Sequence, residues 1–168
     1  MPPSDQAARD PILVVEDDEN HAFFIRRAFA TVGLQNPAHF VEDGAQAIAY
    51  LAGESPYANR AEFPLPSLML LDLKMPNKNG FEVLEWVRQQ PGLAALRIVV
   101  LTTSGAASDI NRAYQLGANS FLTKPMQFRD LVELTKWIQG YWLHFSKTPG
   151  ISRSAPVVKM PARDTGNS

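Results

Sequence analysis

Leu68-Met69-Leu70-Leu71-Asp72-Leu73-Lys74-Met75-Pro76-Asn77-Lys78-Asn79-Gly80 decides the fold. Four apolar residues run directly into one acid, Asp72. A short apolar run bounded by turn residues reads as a strand buried on both faces, as in a parallel sheet. The segment after it is loop: Pro76 biases Met75 away from helix, and Gly80 is free to take a positive φ. Asp72 therefore stands at the carboxyl end of a buried strand, where open α/β sheets form their ligand crevice. A carboxylate buried there needs a compensating partner.

Outward from this stretch, strand and helix patterns alternate five times. Apolar runs predict strands at Ile12–Val15, Ala38–Val41, Ile98–Leu101 and Ser120–Thr123. Helical spacing with Asp or Gly punctuation predicts helices over 19–32, 45–51, 81–90, 109–116 and 128–144. In the first of these Ile25, Ala28, Phe29 and Val32 share a face. In the last, Leu131, Leu134, Ile138 and Tyr141 do. Residues 53–67 hold Pro56, Pro64 and Pro66, a loop long enough to be a candidate contact surface. The alternation predicts an α/β domain, a doubly wound five-stranded parallel sheet of flavodoxin-like order 2-1-3-4-5. Residues 1–10 read as a flexible lead-in, 11–145 as the domain with an extended last helix, and 146–168 as a disordered tail.

Composition narrows the function. Among 168 residues there is no cysteine, which excludes disulfides and thiolate metal sites and suits a cytoplasmic protein. No apolar run approaches the ~20 residues that span a bilayer. Residues 1–146 carry 12 basic and 16 acidic side chains, a poor match for nucleic acid, while the tail carries four basic residues and one acid.

A parallel sheet gathers its strand ends on one edge. That edge collects Glu16-Asp17 after the first strand, Asp72 after the third, Thr102 after the fourth and Lys124 after the fifth. Clustered carboxylates call for a hard divalent cation such as Mg²⁺. A metal, an ammonium and a hydroxyl around one aspartate suit phosphoryl transfer to that aspartate. The acid pair can also be framed as Asp17-Asp18; Glu16-Asp17 is preferred because Asp18 fits the helix N-cap.

From about Pro11 to Phe145 the chain resembles the receiver domain of two-component response regulators. The resemblance lies in Val14-Val15-Glu16-Asp17-Asp18, in Leu71 to Gly80, in Val100-Leu101-Thr102-Thr103-Ser104, and in Gly117-Ala118-Asn119-Ser120-Phe121-Leu122-Thr123-Lys124-Pro125. It implies that Asp72 accepts a phosphoryl group from a sensor histidine kinase or a phosphotransfer protein. Glu16, Asp17, Asp72 and the Lys74 backbone carbonyl would hold Mg²⁺. Thr102 and Lys124 would bind the phosphoryl oxygens, Phe121 would rotate as the switch, and the Lys124–Pro125 bond would be cis. Glu16 stands where many members have Asp, and Phe121 where Tyr is also common.

The long last helix and Tyr141-Trp142-Leu143 are similar to single-domain regulators paired with bacterial phytochromes. That likeness implies a homodimer through Trp137, Tyr141, Trp142 and Phe145, and kinase docking near His21 and Phe24. No output domain is read in the chain, and no nucleic acid or membrane partner is expected. A phosphorylation-independent interaction module on the same fold is the rival reading. A dehalogenase-type phosphatase would need an acid at Lys74. A flavodoxin would need a phosphate cradle where Glu16-Asp17-Asp18 stands.

Overall fold

The computed structural model describes residues 10–145. Five strands form one parallel sheet in the order β2-β1-β3-β4-β5. They are β1 (Ile12–Val15), β2 (Ala38–Val41), β3 (Leu68–Leu71), β4 (Arg97–Thr102) and β5 (Ser120–Thr123). The helices are α1 (Glu19–Val32), α2 (Gly44–Ala52), α3 (Gly80–Arg88), α4 (Ala107–Gln115) and α5 (Phe128–Ile138).

Side chains alternate across each strand, so the sheet makes two cores. Leu13, Val15, Met69, Leu71, Ile98 and Val100 face a cluster that includes Leu51, Leu84, Trp86 and Val87 of α2 and α3. Ile12, Val14, Leu68, Leu70, Val99 and Leu101 face Ile25, Phe29, Leu131 and Ile138 of α1 and α5. A strand buried on both sides has no polar face, which is why the central runs read as unbroken aliphatic stretches.

Register delivers the site. Val15 pairs with Leu71, so Glu16 and Asp72 leave neighbouring strands side by side. Thr102 pairs with Thr123, so Lys124 is the next residue beyond that rung. Two backbone bonds tie these exits: Asp72 N–H to Val15 O at 3.1 Å, and Lys124 N–H to Thr102 O at 2.7 Å.

Several boundaries differ from expectation for local reasons. Helix α3 starts at Gly80 because Asn79 and Glu82 form a reciprocal capping box, each bond 3.0 Å. Gly80 does not have a positive φ; that geometry falls on Asn77, at 64°. Gly80 is required by space instead, since a Cβ there would lie 2.3 Å from the Asp72 carbonyl oxygen. The last helix is α-helical only to Ile138 and continues as wider π-type turns over Gln139–Phe145. Gly140, a poor helix former, lies within that stretch. The widened turns seat Leu143 and Trp142 on the α1–α5 cluster and leave Tyr141 outward, 59% exposed, so Tyr141 is not part of the buried stripe.

The loop over 53–67 packs on its own domain. Tyr57, Phe63 and Leu65 lie against the first core, Tyr57 and Phe63 each touch the Tyr50 ring, and the Tyr50 hydroxyl donates to Pro64 O at 2.9 Å. Arg60 donates to the carbonyls of Tyr50 and Leu51 at 2.7 and 2.8 Å, capping the end of α2. The lead-in up to residue 9 and the tail from 146 lie outside the described residues.

Gly80→Ala should lower unfolding stability by about 2 kcal/mol, because the clash is with backbone that has no rotamer to yield. Urea denaturation of the metal-free protein measures it.

Candidate functional site

Three carboxylates meet at the strand ends. Glu16, Asp17 and Asp72 each place one oxygen within 4.8 Å of the others. Glu16 and Asp72 are buried and Asp17 is exposed. Asp18 is not in the group. It caps α1, its Oδ1 accepting from the N–H groups of Asn20 and His21 at 2.8 and 3.1 Å. Chain direction explains the split: Glu16 prolongs the strand, Asp17 is at the turn, and Asp18 already belongs to the helix.

The Asp72 carboxylate is anchored at both oxygens. Oδ1 accepts from Leu73 N–H at 2.7 Å, and Oδ2 accepts from the Lys124 ammonium at 2.9 Å. Lys124, itself almost fully buried, also forms a close ion pair with Glu16 Oε2. The compensation that a buried Asp72 requires is thus an ammonium shared with Glu16. His21 stands at the mouth, its Nδ1 3.0 Å from Lys124 Nζ. Burial pushes the Glu16 carboxyl above its ordinary value of 4.5; the Asp72 charge adds to the rise, and Lys124 opposes it through both hydrogen bond and charge.

Thr102 is fully buried at the end of β4, and its hydroxyl oxygen faces Ser104 N–H at 3.5 Å. Phe121 is half-buried against the first core, and its N–H donates to the Tyr114 hydroxyl at 3.0 Å, covering the outer edge of β5. The Lys124–Pro125 bond is trans; among the described residues the cis bond is Ser55–Pro56. Trans is the intrinsically favoured isomer, and fully exposed Met126 just beyond offers no packing that would impose the other. Of the aromatics at the end of the last helix, Trp137 and Tyr141 are exposed, Trp142 is packed, and the side chain of Phe145 lies outside the described residues. Two features had no signal in the sequence: the seat of His21 on Lys124, and a bond between Asp43 and Asn77 across separate loops.

The donor set fits a hard divalent cation, because three carboxylates against one ammonium leave an excess of negative charge that oxygen-loving ions relieve. Beside the site, a groove of about 390 Å³ runs between α1 and the β5–α5 connection, lined by His21, Phe24, Thr103, Lys124, Met126 and Phe128.

The response regulator receiver domain family matches residues 12–136. The chain belongs to this family. Its members act as phosphoacceptors rather than as enzymes in the ordinary sense. The chain is 39% identical over 150 residues to a probable methanogenesis regulatory protein, FilR2, of Methanothrix harundinacea, covering 85% of this chain and 91% of that one. It is 35% identical over 138 residues to the response regulator Rcp1 of Synechocystis, covering 82% and 92%. The Mn²⁺-bound form of Rcp1 superposes with a TM-score of 0.76 at 34% identity, over 84% of this chain and 99% of that one. The phosphorylated cyanobacterial phytochrome response regulator RcpA superposes with a TM-score of 0.78 at 35% identity, over 84% and 99%. The acidic triad is thus of the kind found at receiver metal sites, and among the described residues no helix is long and apolar enough to cross a membrane.

The raised Glu16 pKa has a stability consequence. In metal-free protein the folded state holds the Glu16 proton more tightly than the unfolded chain, so Glu16 favours folding below pH 4.5 and loses that contribution as pH rises through its elevated folded value. Glu16→Gln should therefore gain stability relative to wild type as pH rises across that window, read by urea unfolding at several pH values.

Proposed function

We propose that Asp72 is the phosphoacceptor of a cytoplasmic single-domain response regulator. Its carboxylate attacks the phosphorus of a phosphohistidine on a sensor kinase or phosphotransfer protein. A P–O bond forms as the P–N bond breaks, and the imidazole departs carrying a proton. The supporting observation is the Lys124 ammonium on Asp72 Oδ2, beside a cluster of three carboxylates. Glu16, Asp17, Asp72 and the backbone carbonyl of Lys74 would hold Mg²⁺, which neutralises charge on the phosphoryl oxygens when bound. Lys124 and the Thr102 hydroxyl bind the remaining oxygens. Engagement of Thr102 frees space for Phe121 to rotate, altering the surface of α4, β5 and α5.

The groove beside Lys124, with exposed Phe23 and Phe24 on α1, is where the phosphodonor docks. The similarity to the cyanobacterial phytochrome response regulator RcpA supports a bacterial phytochrome as that donor's sensor. Incubation with a small phosphodonor and Mg²⁺ should add one phosphoryl group by intact mass, and Asp72→Asn should abolish the gain. No gain with any donor would favour a phosphorylation-independent interaction module.

The outward aromatics at the end of α5 would join two copies of the chain. Trp137 and Tyr141 are 74% and 59% exposed, and large exposed rings near one end of an element mark an association surface. Leu143 and Trp142 help close the core, so truncation at residue 139 would damage the domain itself. The combined substitution Trp137→Ser, Tyr141→Ser tests the patch alone and should yield a monomer by light scattering. A wild-type chain already monomeric at high concentration would overturn the dimer.

A further inference from the structure

Among the described residues, Asn77 is the non-glycine residue with a positive φ, 64°. The Lys78 N–H donates to Pro76 O at 2.8 Å, so Pro76-Asn77-Lys78 closes a γ-turn in its rarer, positive-φ form. Such a turn persists where its surroundings impose it. Two contacts do so here, both from the connection between β2 and α2. The Asn77 side-chain amide donates to Asp43 Oδ2 at 2.9 Å, and Gly44 N–H donates to Lys78 O at 3.1 Å. Asp43 is 8% exposed, and its other oxygen caps α2 by accepting from Gln46 N–H at 2.8 Å. A Cβ on Gly44 would lie 2.2 Å from Lys78 O, so the two loops are in direct backbone contact.

Neither Asp43 nor Asn77 has a role in the phosphoryl chemistry described above, yet the loop they hold begins at the site. Lys74, two residues past Asp72, approaches Asp72 Oδ1 with its N–H at 3.4 Å. The loop ends at Gly80, wedged against the Asp72 carbonyl. From Lys74 to Asn79 the loop has no regular secondary structure of its own. Its path is set by Gly80 at one end and by the Asp43 clamp in the middle.

We infer that Asp43 and Asn77 are positioning residues. Their hydrogen bond clamps the 74–78 loop from the far side, so that the Lys74 carbonyl is held toward a divalent cation at the carboxylate cluster. The inference rests on the metal site proposed above. It makes cation affinity depend on a carboxylate that is not itself a ligand, since outer partners that orient ligands commonly shift affinity by tenfold or more.

Asn77→Gly separates the parts of this device. Glycine keeps the positive φ without strain and deletes only the amide. Titration of the full chain with Mg²⁺ by calorimetry, repeated with Mn²⁺ by electron paramagnetic resonance, should show affinity weakened about tenfold. Asn77→Asp alone sets two carboxylates face to face. Combining it with Asp43→Asn re-forms the bond with donor and acceptor exchanged at unchanged net charge, and should restore affinity to within about twofold of wild type. If Asn77→Gly lowers the metal-free unfolding midpoint while Mg²⁺ affinity stays as in wild type, the bond is a structural anchor only and the inference is overturned. If wild type binds neither ion, or Asp17→Asn leaves affinity unchanged, the metal site itself fails and the inference falls with it.

Discussion

One ammonium group holds the functional edge of this domain together. Lys124 enters from the end of β5 and is shared between the carboxylates of Glu16 and Asp72, which leave β1 and β3 as neighbours. Two buried acids side by side would repel and would each carry a large desolvation cost. With Lys124 between them, the sheet can keep both at its edge. The ion pairs span the sheet from β1 to β5, so the site depends on register: a one-residue slip in either strand would carry the side chain to the other face.

Much of this was legible because parallel sheets are simple to read. Fully buried strands appear as aliphatic runs, and the residue after each run must be at the same edge. The pattern of run endings therefore puts Glu16, Asp72, Thr102 and Lys124 at one edge, and the fitness of Asp18 as a helix cap separates it from Asp17; in the structure Glu16, Asp17 and Asp72 cluster and Lys124 joins Glu16 to Asp72. What escaped depends on distant chain. The space that Gly80 lacks is filled by the carbonyl of Asp72, and no local pattern reports that approach. The strain at Asn77 is held by Asp43, 34 positions earlier. The isomer of an X–Pro bond has no signature in the residues on either side of it, and the cis bond lies at Pro56 and not at Pro125.

The aromatic residues show how burial separates structural from available surface. Tyr57 and Phe63 sit in a loop whose length suggested a contact region, but they close against Tyr50 and His39 and complete the core beyond α2. Trp142, one of the four aromatics expected at a dimer surface, packs inward beside Leu143 once the helix widens after Ile138. Trp137 and Tyr141 remain outside. A uniform helical stripe could not distinguish these cases, because the change from α to π turns resets which residues share a face.

The charge at the site also explains why its parts are spread over so many strands. Three carboxylates facing one ammonium leave an excess that a single divalent cation balances. Replacing the Asp72 carboxylate with an acyl phosphate would exchange one negative charge for as many as two, a small change in total but a displacement of that charge outward along a new P–O bond. Lys124, just beyond edge strand β5, already bridges Glu16 and Asp72 and so would face any charge added at Asp72. Lys124 is attached to the Pro125-Met126 connection that borders the groove on one side and leads into α5 on the other, so the charged edge of the sheet and the groove share the same few residues.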